Sequence, residues 1–474
     1  MNLKKALDLP VFDTVKSVAV STGLESYVVG GYVRDILLKR PSKDIDFVCV
    51  GSGIALAEGV KAALGKDIPI TVFKRFGTAM IKDGDEELEF VGARKESYRE
   101  DSRKPVVEDG SLEDDQNRRD FTINAMAISL NEDNYGELVD PFDGVGDLKK
   151  KMIRTPLAPE QTFSDDPLRM MRAIRFASQL GFDIDADTFH GIVEMADRIK
   201  IVSAERVIVE LNKIVLSSTP SYGFKLLFHC GLLQHIFPEM VALQGVQSID
   251  DKSHKDNFYH TLQVLDNISK HTDDLWLRWA AIMHDIAKPA TKRFNKRVGW
   301  TFHGHEDKGA RMTPAIFRRL KLPMGESMRF VKKLVRLHLR PIALVKDTIT
   351  DSAVRRLLFD AGDDVEALMM LCRADITSKN NHKVKRYLAN FDKVEQKMKE
   401  VEEKDKIRNF QPVVTGEMIM ETFDVKPGRV IGEIKEALKE AVLEGTIRNE
   451  FREAYAYMLQ LGREKGLQVV KTIK

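Results

Sequence analysis

The chain has 474 residues, 43% of them hydrophobic and 31% charged, which is typical of a globular protein with two to four domains. Its 74 basic and 72 acidic residues leave a net charge of +2, so any nucleic-acid-binding surface must come from local clustering of charge. No run of eighteen apolar residues occurs and the three cysteines lie far apart, which excludes a membrane-spanning helix and indicates a cytoplasmic protein with reduced thiols.

The first third of the chain combines short strands with helices. The predicted strands are rich in β-branched and aromatic residues and read "SYVVGG", "KDIDFVCVG", "PITVFKRFGTAMI" and "EELEFVGA". Helices are predicted for "GYVRDILLK" and for "GIALAEGVKAALG", the second of which ends at Gly65. From about Thr162 onward, apolar residues recur at three- and four-residue spacing and strand signals nearly vanish. The sequence therefore predicts a multidomain α+β protein, with a small mixed-sheet head followed by an all-helical body.

A pair of glycines and a pair of aspartates flank the first two predicted strands. Because strand side chains alternate, Asp44 and Asp46 share one face of their strand. Two carboxylates this close repel each other unless a cation lies between them, and oxygen ligands of this kind suit Mg²⁺ with substrate phosphate. Gly30 and Gly31 let the backbone approach a phosphate, and Arg34 follows one turn later. Each motif alone is common in turns and exposed strands, but together they predict a site for Mg²⁺ and a nucleoside triphosphate.

The combined stretch GGxVRDxLLxxxxxDxD resembles the signature of polymerase-β-type nucleotidyltransferases, in the class of bacterial CCA-adding enzymes and poly(A) polymerases. The segments "RRDFTINAMAISL", "DPFDGVGDLKKKMIRTP" and "DDPLRMMRAIRFASQLGF" are similar to this class in the expected order. The resemblance implies a catalytic, Mg²⁺-binding pair and a set of residues near the nucleotide: Asp44 and Asp46 in the first, and Gly30, Gly31, Arg34, Arg119, Asp120 and Asn124 in the second. Since a third carboxylate often completes polymerase-type sites, Glu89 is our candidate for that catalytic position.

The segment that begins at Asp165 resembles the base-selecting motif of the same class, and it implies nucleotide contacts from Asp165, Asp166, Arg169 and Arg172. The family usually has glutamate where this chain has Asp165. Asp166 and Arg169 are three residues apart, so we expect them to brace each other on one helix. A carboxylate accepts from an exocyclic amine and a guanidinium donates to ring nitrogen and carbonyl oxygen, so such a pair reads C and A without a template. The alternative, which is compatible, is a helix N-cap at Asp165 or Asp166.

The resemblance leaves more than one product open. The segment "TVFKRFGTAMI" resembles CCA-adding members more than bacterial poly(A) polymerases, which we expect to carry a strongly basic extension. The implied reaction is addition of CCA to tRNA from CTP and ATP, by attack of the 3′-hydroxyl on the α-phosphate with release of pyrophosphate. A poly(A) polymerase and a CC-adding or A-adding specialist are the alternatives. The charged segment between Arg94 and Arg118 is expected to be a loop, similar to the family's flexible loop that helps switch from C to A.

A second motif set lies in the helical body, where six of the eleven histidines fall between His260 and His338. The apolar run "LRWAAIM" ends in His284-Asp285, and burying both groups is costly unless a metal satisfies them. The order of these residues resembles the HD superfamily of metal-dependent phosphohydrolases. The resemblance implies a two-metal site with the ligands His260, His284, Asp285, His305, His338 and Asp375. Such ligands suit Mn, Ni, Fe or Zn.

The activity implied for this second site is hydrolysis of phosphate monoesters or diesters. A metal bound only for structure is the rival interpretation. A further alternative for the whole chain is an HD phosphohydrolase whose head only senses nucleotide.

The motifs predict four domains, which are a nucleotidyltransferase head (1–155), a helical neck (156–245), an HD domain (246–395) and a helical RNA-binding tail (396–474). Basic residues gather in Arg318–Arg340 and in Lys379–Tyr387. Since a tRNA must be held against the head, we expect these stretches to contact its backbone.

Overall fold

The computed structural model describes residues 1–65, 68–99, 102–249, 252–346, 350–378 and 380–473. These residues form two compact units, Met1–Pro238 and Glu239–Lys474. The first begins with a mixed β-sheet and continues in helices, and the second is almost entirely helical, which confirms the predicted α+β class with a helical body. The four predicted domains stay a prediction. Among the described helices, none combines the length and the apolar composition needed to cross a membrane.

The strands belong mainly to the first unit, and those from Met152 onward span only two or three residues each. In chain order they are β1 (Ser26–Val29), β2 (Asp44–Cys49), β3 (Ile70–Phe73), β4 (Thr78–Asp83), β5 (Glu86–Gly92), β6 (Arg94–Arg99), β7 (Ser102–Asp109), β8 (Ala127–Ser129), β9 (Leu138–Val139), β10 (Met152–Ile153), β11 (Asp183–Ile184), β12 (Ser248–Ile249), β13 (Lys252–Ser253), β14 (Arg293–Asn295) and β15 (Gly299–Thr301).

The α-helices run through both units. In chain order they are α1 (Pro10–Thr22), α2 (Gly31–Leu37), α3 (Gly53–Leu64), α4 (Leu112–Asn117), α5 (Gly144–Lys150), α6 (Pro159–Asp165), α7 (Leu168–Leu180), α8 (Ala186–Met195), α9 (Ala204–Val215), α10 (Pro220–His229), α11 (Leu232–Ile236), α12 (Pro238–Val241), α13 (Asn257–Ser269), α14 (Leu275–Met283), α15 (Lys288–Thr291), α16 (His305–Leu320), α17 (Glu326–Leu337), α18 (Leu339–Lys346), α19 (Asp351–Ala361), α20 (Val365–Ala374), α21 (Asn381–Asp405), α22 (Gly416–Phe423), α23 (Arg429–Glu444) and α24 (Phe451–Glu464).

The main sheet of the first unit brings the predicted carboxylates together near its middle. Its described strands have the order β3-β4-β5-β2-β1-β8-β9. Strand β2 runs antiparallel to β1 and parallel to β5, so Asp46 pairs with Val29 on one side and with Glu89 on the other. Residues paired across a ladder project to the same face, and the next residues project to the opposite face. Asp46 and Glu89 therefore share one face, while Phe47 and Phe90 stack at 4.9 Å in the core beneath it.

Side-chain caps set the start of the helices that carry the second site. Asp256 accepts hydrogen bonds from the first backbone N–H groups of α13, which contains His260. Asp274 caps α14 in the same way, and α14 ends immediately before His284. The first unit uses the same signals, since α3 ends as predicted at Gly65, which has a φ of 62°. The caps thus fix the residues at which these helices begin and end, and with them the positions of the site residues that the helices carry.

Two predictions for the first unit are wrong in detail. The segment "PITVFKRFGTAMI" is not one strand but a hairpin of β3 and β4, because Gly77 takes a φ of 60° after a short 3₁₀ turn and reverses the chain. The segment between Arg94 and Arg118 is not a loop. It contains the β6–β7 hairpin and α4, whose start is stabilised by a capping box at Ser111, and Glu100 and Asp101 lie outside the described residues.

Candidate functional site

The first candidate site is a cleft of about 420 Å³ in the first unit. The predicted residues that line it come from strands, turns and helices that are far apart in the sequence. Those that line it are Gly30, Gly31, Arg34, Asp44, Asp46, Glu89, Arg119, Asp120, Asn124 and Arg172.

The glycine pair lets one wall of the cleft approach the carboxylates closely. Gly30 has a φ of 74°, in the left-handed region, and precedes α2. A Cβ atom at Gly30 would lie 3.0 Å from both Arg119 Nη1 and Asp46 Oδ2. Only glycine fits between this guanidinium and this carboxylate without displacing one of them, so the sequence motif has a steric reason here.

The carboxylates of the cleft are held in a way that favours a bound cation. Burial raises the pKa of Asp46; the nearby Arg119 opposes this rise and the charge of Asp44 adds to it. Burial and the charge of Asp46 also raise the pKa of Glu89. Asp44, Asp46 and Glu89 lie on one face of the sheet, and their negative charges repel each other. A cation bound between them would remove this repulsion, and carboxylate oxygens are the ligands that Mg²⁺ prefers. These residues therefore fit a divalent metal.

A hydrogen-bonded chain orients the polar side of the cleft. Arg172 pairs with Asp120 at 2.6 Å, and Asn124 Nδ2 donates to the other oxygen of Asp120 at 3.0 Å. Asn124 Oδ1 in turn accepts from Arg34 Nη1 at 2.9 Å. The single Asp120 carboxylate thus fixes two cationic side chains, one directly and one through an amide, at positions that line the cleft.

Replacement of Asp120 by asparagine is expected to destabilise the first unit. Burial raises the pKa of Asp120, but Arg172 outweighs this effect and the pKa falls to about 2. A lowered carboxyl pKa stabilises the fold above the unfolded value of about 4, so the loss at pH 7 should be roughly 2 kcal/mol. As the pH falls from about 4 toward 2, wild type loses the same stabilisation and the difference should shrink. Urea unfolding at several pH values measures this.

The exposed Asp85, which pairs with Lys43 on the surface, gives the matched control. Asp85→Asn should change the free energy of unfolding by less than about 1 kcal/mol. An Asp120→Asn difference that is the same at pH 7 and pH 3 would contradict the assigned pairing.

The predicted base-selecting residues fall into two groups. Arg172 lines the cleft, whereas Asp165, Asp166 and Arg169 are not among the described residues that line it. Asp165 is the last residue of α6, and Asp166 lies between α6 and α7 in an extended conformation. The nucleotide contacts of these residues stay a prediction.

The expected mutual bracing of Asp166 and Arg169 is replaced by other partners. Asp166 pairs with Arg206 at 2.8 Å and accepts the backbone N–H of Leu168, the first residue of α7, at 3.1 Å. Arg169 donates instead to the backbone oxygen of Arg118 at 2.5 Å. Because Asp166 precedes the helix, the three-residue helical spacing does not apply to it. The alternative of an N-cap at Asp165 or Asp166 is not observed either, since Pro167 is the N-cap of α7 and Asp166 is the C-cap of α6.

Sequence reasoning missed several residues that shape the cleft, among them Asp115, Arg175 and Phe176. Asp115 in α4 is fully buried and pairs at 2.9 Å with Arg119, which follows the end of this helix; their four-residue spacing was the available signal. Phe176 and Arg175 line the cleft, and the Arg175 guanidinium lies 3.9 Å from the centre of the Phe176 ring. Their position one turn after Arg172 on α7 was the available signal.

The second candidate site lies in the second unit, where several helix termini meet. All six predicted ligands are brought to it: His260 in α13, His284 and Asp285 directly after α14, His305 as the first residue of α16, His338 directly after α17, and Asp375 directly after α20. His303, two residues from His305, is exposed.

Backbone hydrogen bonds orient the imidazole rings of this second site. The Nδ1 atoms of His284, His305 and His338 lie 2.7, 2.7 and 2.6 Å from backbone carbonyl oxygens. A carbonyl only accepts, so Nδ1 carries the proton, and in the neutral form that binds a metal Nε2 presents a lone pair. The Nε2 atoms of His305 and His338 face each other at 3.3 Å. Two lone pairs at this distance repel each other, whereas a cation bound to both would satisfy them.

The ligand atoms form two overlapping sets that share Asp285. His260, His284 and Asp285 form one set, and Asp285, His305 and His338 form the other, with the ligand atoms of each set within 4.8 Å of one another. His284 Nε2 is buried at 3.2 Å from Oδ2 of Asp285, in a geometry that does not form a hydrogen bond. One bridging carboxylate between two imidazole-rich sets is a donor arrangement that fits two transition-metal ions.

A cavity of about 320 Å³ adjoins this second site. His260 and Asp375 form part of its wall, and the cations Lys255 and Lys288 and the aromatic ring of Tyr387 form other parts. Lys288 also pairs with Asp285 at 2.6 Å. The cavity therefore has the positive charge that a phosphate ester requires beside the predicted metal ligands.

Ion pairs within the second unit neutralise at least four of the eight basic residues in the predicted basic stretch 318–340. Its charges on α16, α17 and α18 pair as follows: Arg319 with Glu239, Lys333 with Asp364, Arg336 with Asp307, and Arg340 with Asp360. In the other basic stretch, Lys383, Lys385 and Arg386 are exposed and Lys379 lies outside the described residues. RNA contacts of these two stretches stay a prediction.

Comparisons with protein families match both sites. The model of the Poly A polymerase head domain matches residues 26–154, and the HD domain model matches residues 257–378. The model described as "Probable RNA and SrmB- binding site of polymerase A" matches residues 181–243, and the one described as "tRNA nucleotidyltransferase domain 2 putative" matches residues 339–454.

Individual relatives have related names. Over 311 residues the chain is 34% identical to the Multifunctional CCA protein of Pseudomonas paraeruginosa. The aligned region covers 63% of this chain and 71% of that protein. Over 286 residues it is 36% identical to the CCA-adding enzyme of Anoxybacillus flavithermus, covering 60% and 65%. A crystal structure of a tRNA nucleotidyltransferase, complexed with a primer tRNA and an incoming ATP analog, is 28% identical with a TM-score of 0.56 and covers 81% of this chain and 99% of that one.

Proposed function

The chain belongs to the family of multifunctional CCA proteins and CCA-adding enzymes, and we propose that it adds C, C and A to tRNA 3′ ends from CTP and ATP. One observation carries the proposal. Asp44, Asp46 and Glu89 share a face of the sheet, and the cleft above them is also lined by cationic side chains. Carboxylates for a metal beside cations for a triphosphate are the two requirements of nucleotidyl transfer.

In the proposed reaction, the 3′-hydroxyl oxygen of the RNA bonds to the α-phosphorus of the nucleotide while the bond from this phosphorus to the bridging oxygen breaks. Pyrophosphate leaves and the hydroxyl proton passes to solvent. We assign Asp44 and Asp46, with Glu89, to hold Mg²⁺, which when bound supplies a lowered hydroxyl pKa and charge neutralisation on the phosphate oxygens. Arg34, Arg119 and Arg172 are assigned to the triphosphate and ribose, since the ion pairs of the cleft wall fix their positions.

Incubation with a tRNA transcript that lacks CCA tests this function. CTP alone should extend the RNA by two nucleotides, and CTP with ATP should extend it by three. Products of poly(A) length would favour a poly(A) polymerase, and extension that stops after CC in the presence of ATP would indicate a specialist. No labelled product with any nucleotide would contradict the transferase assignment, leaving an HD protein with a nucleotide-sensing head.

We also propose that the HD site hydrolyses phosphate monoesters or diesters. The facing Nε2 atoms of His305 and His338 and the shared carboxylate of Asp285 support metal binding, and Lys255 and Lys288 in the adjoining cavity support a phosphate ligand. A divalent transition metal such as Mn, Ni, Fe or Zn would supply an activated water when bound. The side chains of the cavity then hold the ester phosphate by charge. A metal with a purely structural role is the rival assignment.

A cytoplasmic location is part of the same proposal. The three cysteines are free and buried, as expected for a protein that folds without disulfides in a reducing compartment.

A further inference from the structure

Two exposed phenylalanines mark the edge of the main sheet. Phe73 is the last residue of the edge strand β3 and is 44% exposed, and Phe76 in the following 3₁₀ turn is 58% exposed. Exposing large aromatic side chains loses the free energy that their burial would provide. Single exposed apolar residues are common, but two neighbouring aromatics at the edge of the sheet that carries a candidate active site indicate an interaction surface.

The strand register places Phe73 on the same face as the catalytic carboxylates. Across the sheet, Asp46 pairs with Glu89 of β5, Glu89 with Met80 of β4, and Met80 with Thr71 of β3. Phe73 is two residues after Thr71, so its side chain projects to this same face. Three strand spacings separate β3 from β2, so Phe73 lies roughly 15 Å from Asp46 across the sheet. Met80, between them, lines the cleft, so the surface is continuous from the carboxylates to the edge.

Positive charge accompanies the two rings. Lys74, between them, is exposed, and no ion pair joins it to another residue in the part of the chain that the structure describes. Arg94, the first residue of β6, donates from Nη1 to the backbone oxygen of Phe76 at 3.0 Å and so brings a second cation to the same turn. In the basic stretch 318–340, by contrast, at least half of the eight basic residues are paired with carboxylates. Exposed aromatic rings interleaved with cations are the composition of platforms that bind single-stranded nucleic acid.

We propose that Phe73 and Phe76 form a stacking platform for the unpaired nucleotides at the 3′ end of the RNA primer, with Lys74 beside a phosphate of the same strand. The proposal rests on the proposed function, because it names the surface that directs the primer toward the carboxylates. Every base has an aromatic face, so stacking accepts any nucleotide, and a CCA-adding enzyme must accept tRNAs with different last nucleotides. Charge and continuity with the cleft favour RNA over an apolar protein segment as the occupant.

Direct RNA binding by the full chain tests the platform. Two RNAs are compared, a tRNA acceptor hairpin with unpaired 3′ nucleotides and the same hairpin with these nucleotides removed. Phe73→Ala and Phe76→Ala should each raise the Kd for the first RNA about tenfold, within the range of base–aromatic stacking, and should change the Kd for the second less than about twofold. In steady state, KM for the RNA should rise by a similar factor, while kcat and KM for CTP stay within about twofold.

Conservative variants separate stacking from packing. Phe73→Tyr keeps the aromatic ring and should bind like wild type, whereas Phe73→Leu keeps apolar volume and should bind like the alanine variant. Val20→Ala, at a 50% exposed position on α1, is the matched control and should change nothing. Equal weakening for both RNAs, wild-type binding by the leucine variant, or unchanged Kd in both alanine variants would each overturn the platform. A wild-type chain that extends no RNA but still shows the ring-dependent Kd difference would contradict the transferase proposal and leave the platform standing.

Discussion

Asp46→Asn is expected to abolish incorporation of CMP and AMP, lowering kcat at least about 10³-fold. The substitution keeps the volume of the side chain but removes one charged oxygen ligand from the group that Asp46 forms with Asp44 and Glu89 on the sheet face. Labelled CTP and ATP with a tRNA transcript that lacks CCA give the rate. Phosphate-ester hydrolysis at the HD site should be unchanged, because Asp46 belongs to the first unit and the HD ligands to the second.

Measuring the thermal stability of Asp46→Asn shows whether a loss of activity comes from the chemistry or from unfolding. Burial raises the pKa of Asp46, so its ionised form destabilises the folded protein at pH values above the unfolded pKa. Without metal at pH 7, Asp46→Asn should therefore unfold at the same or a higher temperature than wild type. Asp85→Asn, which changes an exposed carboxylate in the turn between β4 and β5, should keep full activity. Retained CMP incorporation by Asp46→Asn would refute the assignment of the cleft.

Asp285→Asn is expected to remove the metal of the HD site and to lower phosphate-ester hydrolysis at least about 10²-fold. Asp285 is the one residue that belongs to both ligand sets, so its change weakens both at once. Metal content by elemental analysis of the purified full chain, together with hydrolysis of an aryl phosphate and of a 2′,3′-cyclic nucleotide, measures the effect. CCA addition should remain near the wild-type rate.

The matched control for the HD site is a pair of neighbouring histidines. His305 is buried with Nε2 at 3.2 Å from Asp285, while His303 is exposed. His305→Ala should lose metal and hydrolysis, and His303→Ala should keep both. If His305→Ala loses the metal but the wild-type protein hydrolyses no phosphate ester, the assignment of a structural metal would be favoured. Equal effects of the two alanine variants would contradict the ligand set.

Some of the sites could be predicted from sequence because their signals are short-range. Alternation along one strand places Asp44 and Asp46 on one face, and the strand β2 has this geometry. The HD ligands, which are far apart in the sequence, were predicted from the resemblance to the HD superfamily instead, and the fold brings His260 and Asp375 within 2.9 Å of each other. The turn at Gly77 was missed, although Gly77 itself was the available signal for a hairpin.

The sequence alone determined the fold class and the two-aspartate face of β2, which follow from periodicity and spacing, and family resemblance named the six candidate HD ligands. Only the tertiary structure decided that Glu89 lies beside Asp46, that Asp120 holds Arg172 from 52 residues away, and that Asp166 pairs with Arg206 rather than with Arg169. Periodicity reports on neighbours within about one helical turn or two strand positions. Contacts between distant residues depend on how whole elements pack, and that packing is not encoded in any single local window.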